Sequence, residues 1–166
     1  MKEFTVKKPR AVVGYPIHRA VAALAKGAPH HWRDNGDTVT IRTTAPLEPD
    51  GAALPEVKPG ELRLFNLRAC VNRKVKGKHI YPARGDTKTR HDWLARQGQR
   101  HGFEVVTVHC SSNVATIADQ AGRRFTLDAT DFTGVLKVID IVAFDKALCD
   151  GVGSTGRAFG FSLLAI

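Results

Sequence analysis

Two groups of residues in this chain could carry chemistry. Near the C-terminus, Gly151-Val152-Gly153-Ser154-Thr155-Gly156 satisfies the GxGxxG spacing of a dinucleotide-binding turn, and Gly151 to Ala158 comes close to the GxxxxGK[ST] of a phosphate loop. The other group is titratable: seven histidines, three cysteines and sixteen carboxylates, enough in number for a metal centre or for acid–base work. The glycine spacing fails on context, because a dinucleotide turn needs a strand before it and a helix after it. Here the order is reversed. DIVAFDKALCDG carries an N-cap candidate in Asp140 and helical spacing in Ile141, Phe144 and Leu148, whereas Phe159, Phe161 and Leu163 alternate as in a strand. Arg157 and Ala158 stand where a phosphate loop needs Lys and a hydroxyl, so no nucleotide cofactor is expected. The titratable residues show no metal pattern either. His30 and His31 are neighbours on a strand and point to opposite faces, and His79, His91, His101 and His109 lack zinc-ligand spacing. Cys70, Cys110 and Cys149 form no CxxC, and the carboxylates are scattered. Neither metal nor cofactor is expected.

The elements that must position any site follow from periodicity and turn residues. Residues 2 to 7 read as a strand. Tyr15-Pro16-Ile17-His18 opens a helix whose apolar stripe is Ile17, Ala20, Val21 and Leu24 and which stops at Gly27. A hairpin follows across Asn35-Gly36, joining His30–Arg33 to Thr38–Thr43. Residues 45 to 60, with prolines 46, 49, 55 and 59, read as a linker or a degraded helix–strand pair. Beyond it come the strand GELRLFNLRACV, a basic loop from Arg73 to Lys88, and a helix from about Thr89 to His101. Then follow the strand FEVVTVHC, an inserted hairpin turning at Asp119–Gly122, the strand DFTGVLKVI, the helix around Phe144 and a final strand. The fold class is α+β. Two tandem β-α-β-β-α-β halves of ferredoxin-like (RRM-like) type are expected, the first (1–60) abridged and the second (61–166) complete.

Composition bounds the partner. Lys+Arg exceed Asp+Glu by 25 to 16, a net charge of +9, which favours a polyanion and above all nucleic acid. No basic amphipathic helix stands out and no run is long enough to span a bilayer, so a membrane partner is not expected. Three unpaired cysteines and an N-terminus without an apolar signal core point to a reducing, cytoplasmic setting.

Several segments together resemble the CasE endoribonucleases, which process CRISPR precursor RNA and remain as a subunit of the Cascade complex. The residues that carry the resemblance are Tyr15-Pro16-Ile17-His18-Arg19, KPGELRLFNLRA from Lys58 to Ala69, Asp92-Trp93-Leu94 with Arg96 and His101-Gly102-Phe103, and the stretch from Phe132 to Leu164 containing FTGVLKVID, FDKAL and GVGSTGRAFGF. The resemblance covers most of the chain outside 45–57, with Cys70-Val71 where family members commonly have Asn-Pro and Ser162 at a common glycine. It implies that His18 is catalytic, with Tyr15 beside it orienting ribose or phosphate. A histidine suits the task, because the ribose 2′-OH can attack the adjacent phosphate without metal once its proton is removed, and imidazole titrates near neutrality. The resemblance also gives the glycine segment a purpose: Gly153, Gly156 and Arg157 would lie near bound RNA and pack against the N-terminal half.

The expected RNA-binding residues are Arg19, then Arg73, Lys74, Lys76 and Lys78 of the basic loop, Arg84, Lys88, Arg90 and Arg96 at the helix, and Arg123 and Arg124 at the hairpin tip. Such a hairpin touching phosphates suits an RNA stem, whose deep groove excludes most side chains. The implied partners are a CRISPR repeat stem-loop, its mature crRNA and other Cascade-type subunits. Two other readings stay open: a hairpin-binding subunit with little or no cleavage, and an unrelated basic RNA-binding protein.

Overall fold

A computed structural model describes all residues, 1–166. The first half is built from β1 (Lys2–Lys7), α1 (Tyr15–Ala25), β2 (His30–Asp34), β3 (Thr38–Thr43) and β4 (Ala52–Ala53), in a sheet ordered β2-β3-β1-β4. The second begins with β5 (Leu62–Ala69), a small β6–β7 hairpin (Arg73–Val75, Lys78–Ile80) and α2 (Thr87–Arg100). It continues with β8 (Phe103–Ala118), β9 (Arg124–Val138), α3 (Ile141–Asp150), a single 3-10 turn (Arg157–Phe159) and β10 (Leu164–Ala165). Its main sheet is ordered β10-β5-β9-β8. Both orders place the last strand beside the first and the third strand between the first and second, so the tandem ferredoxin-like expectation holds. The first half lacks its second helix. Residues 45–60 contribute only β4, paired to β1 through Lys2↔Ala53 and Glu3↔Ala52.

Local sequence explains the element ends. Pro16 sits in the first turn of α1, where no backbone N–H is missed, and Lys26 in the left-handed conformation followed by Gly27 at φ 85° stops the helix. Asp140 caps α3 by accepting from Val142 N and Ala143 N. Asp86 caps α2 through Thr89 N.

Three expectations change. The buried stripe of α1 is Ile17, Val21 and Ala25, while Ala20 and Leu24 face outward, because the narrow first-half sheet covers only one i, i+4 row. The strand FEVVTVHC and the inserted hairpin are not separate: β8 and β9 run unbroken through 16 and 15 residues, in register from Phe103↔Val138 to Ala118↔Arg124 with one bulge at Val105/Thr107. The ladder therefore outgrows the sheet and ends in a free two-stranded arm. Finally, the alternation of Phe159, Phe161 and Leu163 does not make a strand. Gly160 through Leu164 are all buried in succession, so the final strand shrinks to Leu164–Ala165.

Each half has its own core. Phe4, Ile17, Val21, Trp32, Val39 and Ile41 fill the first, and a larger cluster around Phe132, Leu136, Leu94 and Phe144 fills the second. A third cluster, Cys70, Ile117, Leu127, Ala129 and Phe161, lies under the base of the β8–β9 arm. Buried Arg42 ties the halves together: its Nη1 donates to Leu148 O (3.1 Å) and Leu164 O (2.7 Å), and its Nε donates to Glu3 Oε2 (2.6 Å).

Candidate active site and nucleic-acid interface

Helix α1 presents Tyr15 and His18 one turn apart, with ring centroids 5.6 Å from each other. Burial, and secondarily the charge of His30, push the His18 imidazole below its ordinary value, so the ring is neutral near pH 7. Its Nδ1 is buried without a hydrogen-bond partner, which leaves Nε2 as the nitrogen open to a ligand. The Tyr15 hydroxyl donates to Gln120 Oε1 at 3.1 Å, so the tip of the β8–β9 arm reaches across from the second half onto α1. A groove lined by Tyr15, Pro16, Arg68, Arg124, Phe159 and Phe161 runs from this contact along the arm to the end of the glycine segment.

The glycine segment wraps both halves. Gly153, Gly156 and Gly160 all have φ near +85°, a region open to glycine and costly for other residues. A Cβ on Gly153 would stand 3.2 Å from the Trp93 ring, one on Gly156 3.0 Å from Phe161, and one on Gly160 2.7 Å from Trp32 in the first-half core. The segment therefore packs against both halves, and its outer side forms a depression with Arg100, His101 and Arg157. Burial, then the charges of Arg157 and Arg100, hold His101 below its ordinary value, which marks the depression as electropositive. Arg157 is exposed and its Nε donates to Gly153 O (2.9 Å).

The structure sorts the expected basic residues. Arg19, Arg73, Lys74, Lys76, Lys78, Arg84, Lys88, Arg96, Arg123, Arg124 and Arg157 are all exposed. Arg73, Lys74, Lys76 and Lys78 belong to the β6–β7 hairpin, which the sequence reading left as a loop. Lys88 pairs with Asp92 and Arg123 with Asp119, whereas Arg124 carries no ion pair. Arg90 is different. It is buried, with Nε donating to Thr130 Oγ1 (3.0 Å), Nη1 to Ala83 O (2.9 Å) and Asp86 O (3.0 Å), and Nη2 paired with Asp128. Four of its five guanidinium N–H groups are spent on internal partners, which makes it a structural residue rather than a surface cation. No three His, Cys, Asp or Glu side chains converge on one point.

Sequence reasoning missed two residues here. His30, weighed only as a metal ligand, brings its ring centroid to 6.3 Å from that of His18. Gln120, a turn residue by sequence, touches Tyr15 from 105 positions away. Neither is marked by local spacing, because both meetings are made by tertiary packing.

Residues 10–166 match the family described as CRISPR associated protein. The chain belongs to that family. No curated protein matches the sequence. Among solved structures, the CRISPR-associated fold is shared with CRISPR endoribonuclease Cse3 bound to a 19-nucleotide RNA, at 21% identity and a TM-score of 0.80 over 99% of each chain. It is shared too with Thermus thermophilus Cse3 bound to an RNA representing a pre-cleavage complex (22%, TM-score 0.78, 99% of this chain and 98% of that one). Cas6e from Escherichia coli K-12 matches at 20% and a TM-score of 0.74, over 99% and 98% of the two chains. These likenesses establish the CRISPR-associated fold and bear out the resemblance drawn from the motifs. No helix is long and apolar enough to cross a membrane.

Proposed function

We propose that this CRISPR-associated protein is an endoribonuclease that cuts CRISPR repeat RNA at the 3′ base of its stem-loop without a metal ion. It then stays on the mature crRNA as a cytoplasmic subunit of a Cascade-type complex. The observation that carries the reading is His18: a neutral imidazole one turn from Tyr15, the residue that itself lines a groove edged by Arg68 and Arg124. Its place in the first turn of α1 adds the positive end of the helix dipole, which favours the uncharged ring and a nearby phosphate. His18 Nε2 takes the proton of the 2′-OH, and the oxygen attacks the adjacent phosphorus. The P–O5′ bond breaks, leaving a 2′,3′-cyclic phosphate and a 5′-OH. Tyr15, held by Gln120, fixes the ribose or the phosphate. The arm and the β6–β7 hairpin supply cations to the stem, and the outer side of the glycine segment offers backbone N–H groups and Arg157.

The test is labelled cognate repeat RNA incubated in EDTA. Cleavage to those termini is expected, with His18→Ala abolishing cutting while retaining binding, and a 2′-deoxy nucleotide just upstream of the cut blocking it. A strict Mg²⁺ requirement or full activity in the variant defeats the mechanism. Tight binding of the repeat with no cutting by the wild type would instead mark a hairpin-binding subunit.

A further inference from the structure

We propose that His30 is the general acid of this site, delivering a proton to the departing 5′-oxygen while His18 acts as base. The inference rests on the endoribonuclease reading and assigns the second proton transfer, which that reading leaves without a donor. In-line displacement puts nucleophile and leaving group on opposite sides of phosphorus, so one imidazole cannot serve both at once. A second titratable group must stand beside the same phosphate.

His30 meets that need by position. It is the first residue of β2, half-buried, with its ring 6.3 Å from that of His18 and inclined at 34°. The two rings are not hydrogen-bonded to each other, yet are near enough for one phosphodiester to reach both. The Nδ1 of His30 lies 2.9 Å from Ala28 O, and a carbonyl oxygen can only accept. Nδ1 therefore carries a hydrogen in either charge state. Nε2 is then the nitrogen that gains and loses the proton, and the carbonyl fixes the ring plane in which it does so. Burial first, and then the charge of His30, lower His18, which suits that ring to take a proton as the uncharged base.

The nearest rival donors are placed otherwise. The Tyr15 hydroxyl already gives its hydrogen to Gln120 Oε1, which suits a positioning residue. His31 points to the opposite face, under the influence of Arg157 and Asp150. The proton balance closes. The 2′-OH proton passes to His18 Nε2, O2′–P forms, P–O5′ breaks, and the His30 Nε2 proton goes to O5′. Solvent then returns a proton to His30 and removes one from His18.

A leaving-group substitution separates an acid from a merely structural residue. His30→Asn keeps a donor toward Ala28 O and removes the acid. On natural repeat RNA in EDTA it should cut about 10²- to 10⁴-fold slower than wild type. On RNA with a bridging 5′-sulfur at the scissile position, whose thiolate leaves without protonation, the variant should approach the wild-type rate, while His18→Ala stays inactive on both. Equal slowing on the two substrates, or a wild-type rate on natural RNA, overturns the proposal. Because each variant is compared with itself on two substrates, partial unfolding cancels, and His30→Gln makes the same comparison if the Asn variant does not fold. A wild type inactive on both RNAs would refute the endoribonuclease reading itself.

Discussion

Arginines that look alike in the sequence do opposite work in the fold. Arg90 is buried against Asp128 and Thr130 and joins the start of α2 to β9, so truncating it leaves Asp128 without its partner. Breaking a buried pair on one side costs about 3–5 kcal/mol. Arg90→Ala should therefore lower the urea midpoint sharply, with RNA affinity falling only as far as the fold does. Arg124, on the arm and unpaired, should behave in the reverse way. Arg124→Ala should leave the urea midpoint unchanged while flattening the log–log salt dependence of RNA binding by about 0.7 to 0.9. Denaturant titration and binding at several salt concentrations on both variants check the pair. An Arg90 variant of wild-type stability would show that the internal bonds contribute nothing.

At the scale of elements, the glycine segment is first a packing device. A non-glycine residue at φ near +80° costs about 1–2 kcal/mol wherever it sits. Gly122, at the tip of the arm with φ 76°, has open space where a Cβ would go, whereas Gly160 at φ 82° would drive one to 2.7 Å from Trp32. Gly160→Ala should therefore lower the melting temperature well beyond Gly122→Ala, the excess being the strain between the segment and the first-half core. Equal shifts in parallel melts would show that Trp32 gives way freely. The same geometry governs any RNA-binding assay on Gly153 or Gly156. A β-branched residue there meets Trp93 or Phe161 inside the protein, so a binding loss counts toward RNA contact only where the melt is unchanged.

For the whole molecule, the junction between the halves carries a pH dependence. His31 is pushed down to about 4, chiefly by burial and then by Arg157, with His30 and Arg42 acting in the same direction and Asp150 against them. In the unfolded chain the imidazole titrates near 6.5. Between these values the unfolded state binds more protons, so stability present above about pH 6.5 is lost as pH falls through about 4. His31→Asn should flatten the fall in unfolding free energy over that window in urea titrations at stepped pH. Some slope should remain, because His18 and His101 are lowered in the same direction. An unchanged slope would remove His31 as its source.

What the sequence by itself determined is what local chemistry determines. Turn and cap residues such as Asn35-Gly36, Pro16 and Asp140 set most element boundaries, periodicity set the order of strands and helices, and the excess of cations pointed to a polyanionic partner. The order of motifs from Tyr15 to Leu164 set the family. Tertiary structure decided what depends on which surface meets which. Arg90 reads as one more surface cation until Thr130 and Asp128 are brought to it. Phe159, Phe161 and Leu163 alternate in the chain, yet burial on every side of that segment cancels the alternation as a strand signal. The β8–β9 arm is continuous because cross-strand pairing carries it through residues whose own pattern breaks. Gln120 joins Tyr15 only because the two halves fold against each other, and His30 joins His18 because α1 packs beside β2 within the first half. A sequence fixes the spacing of neighbours on one element, whereas distances between elements arise from packing.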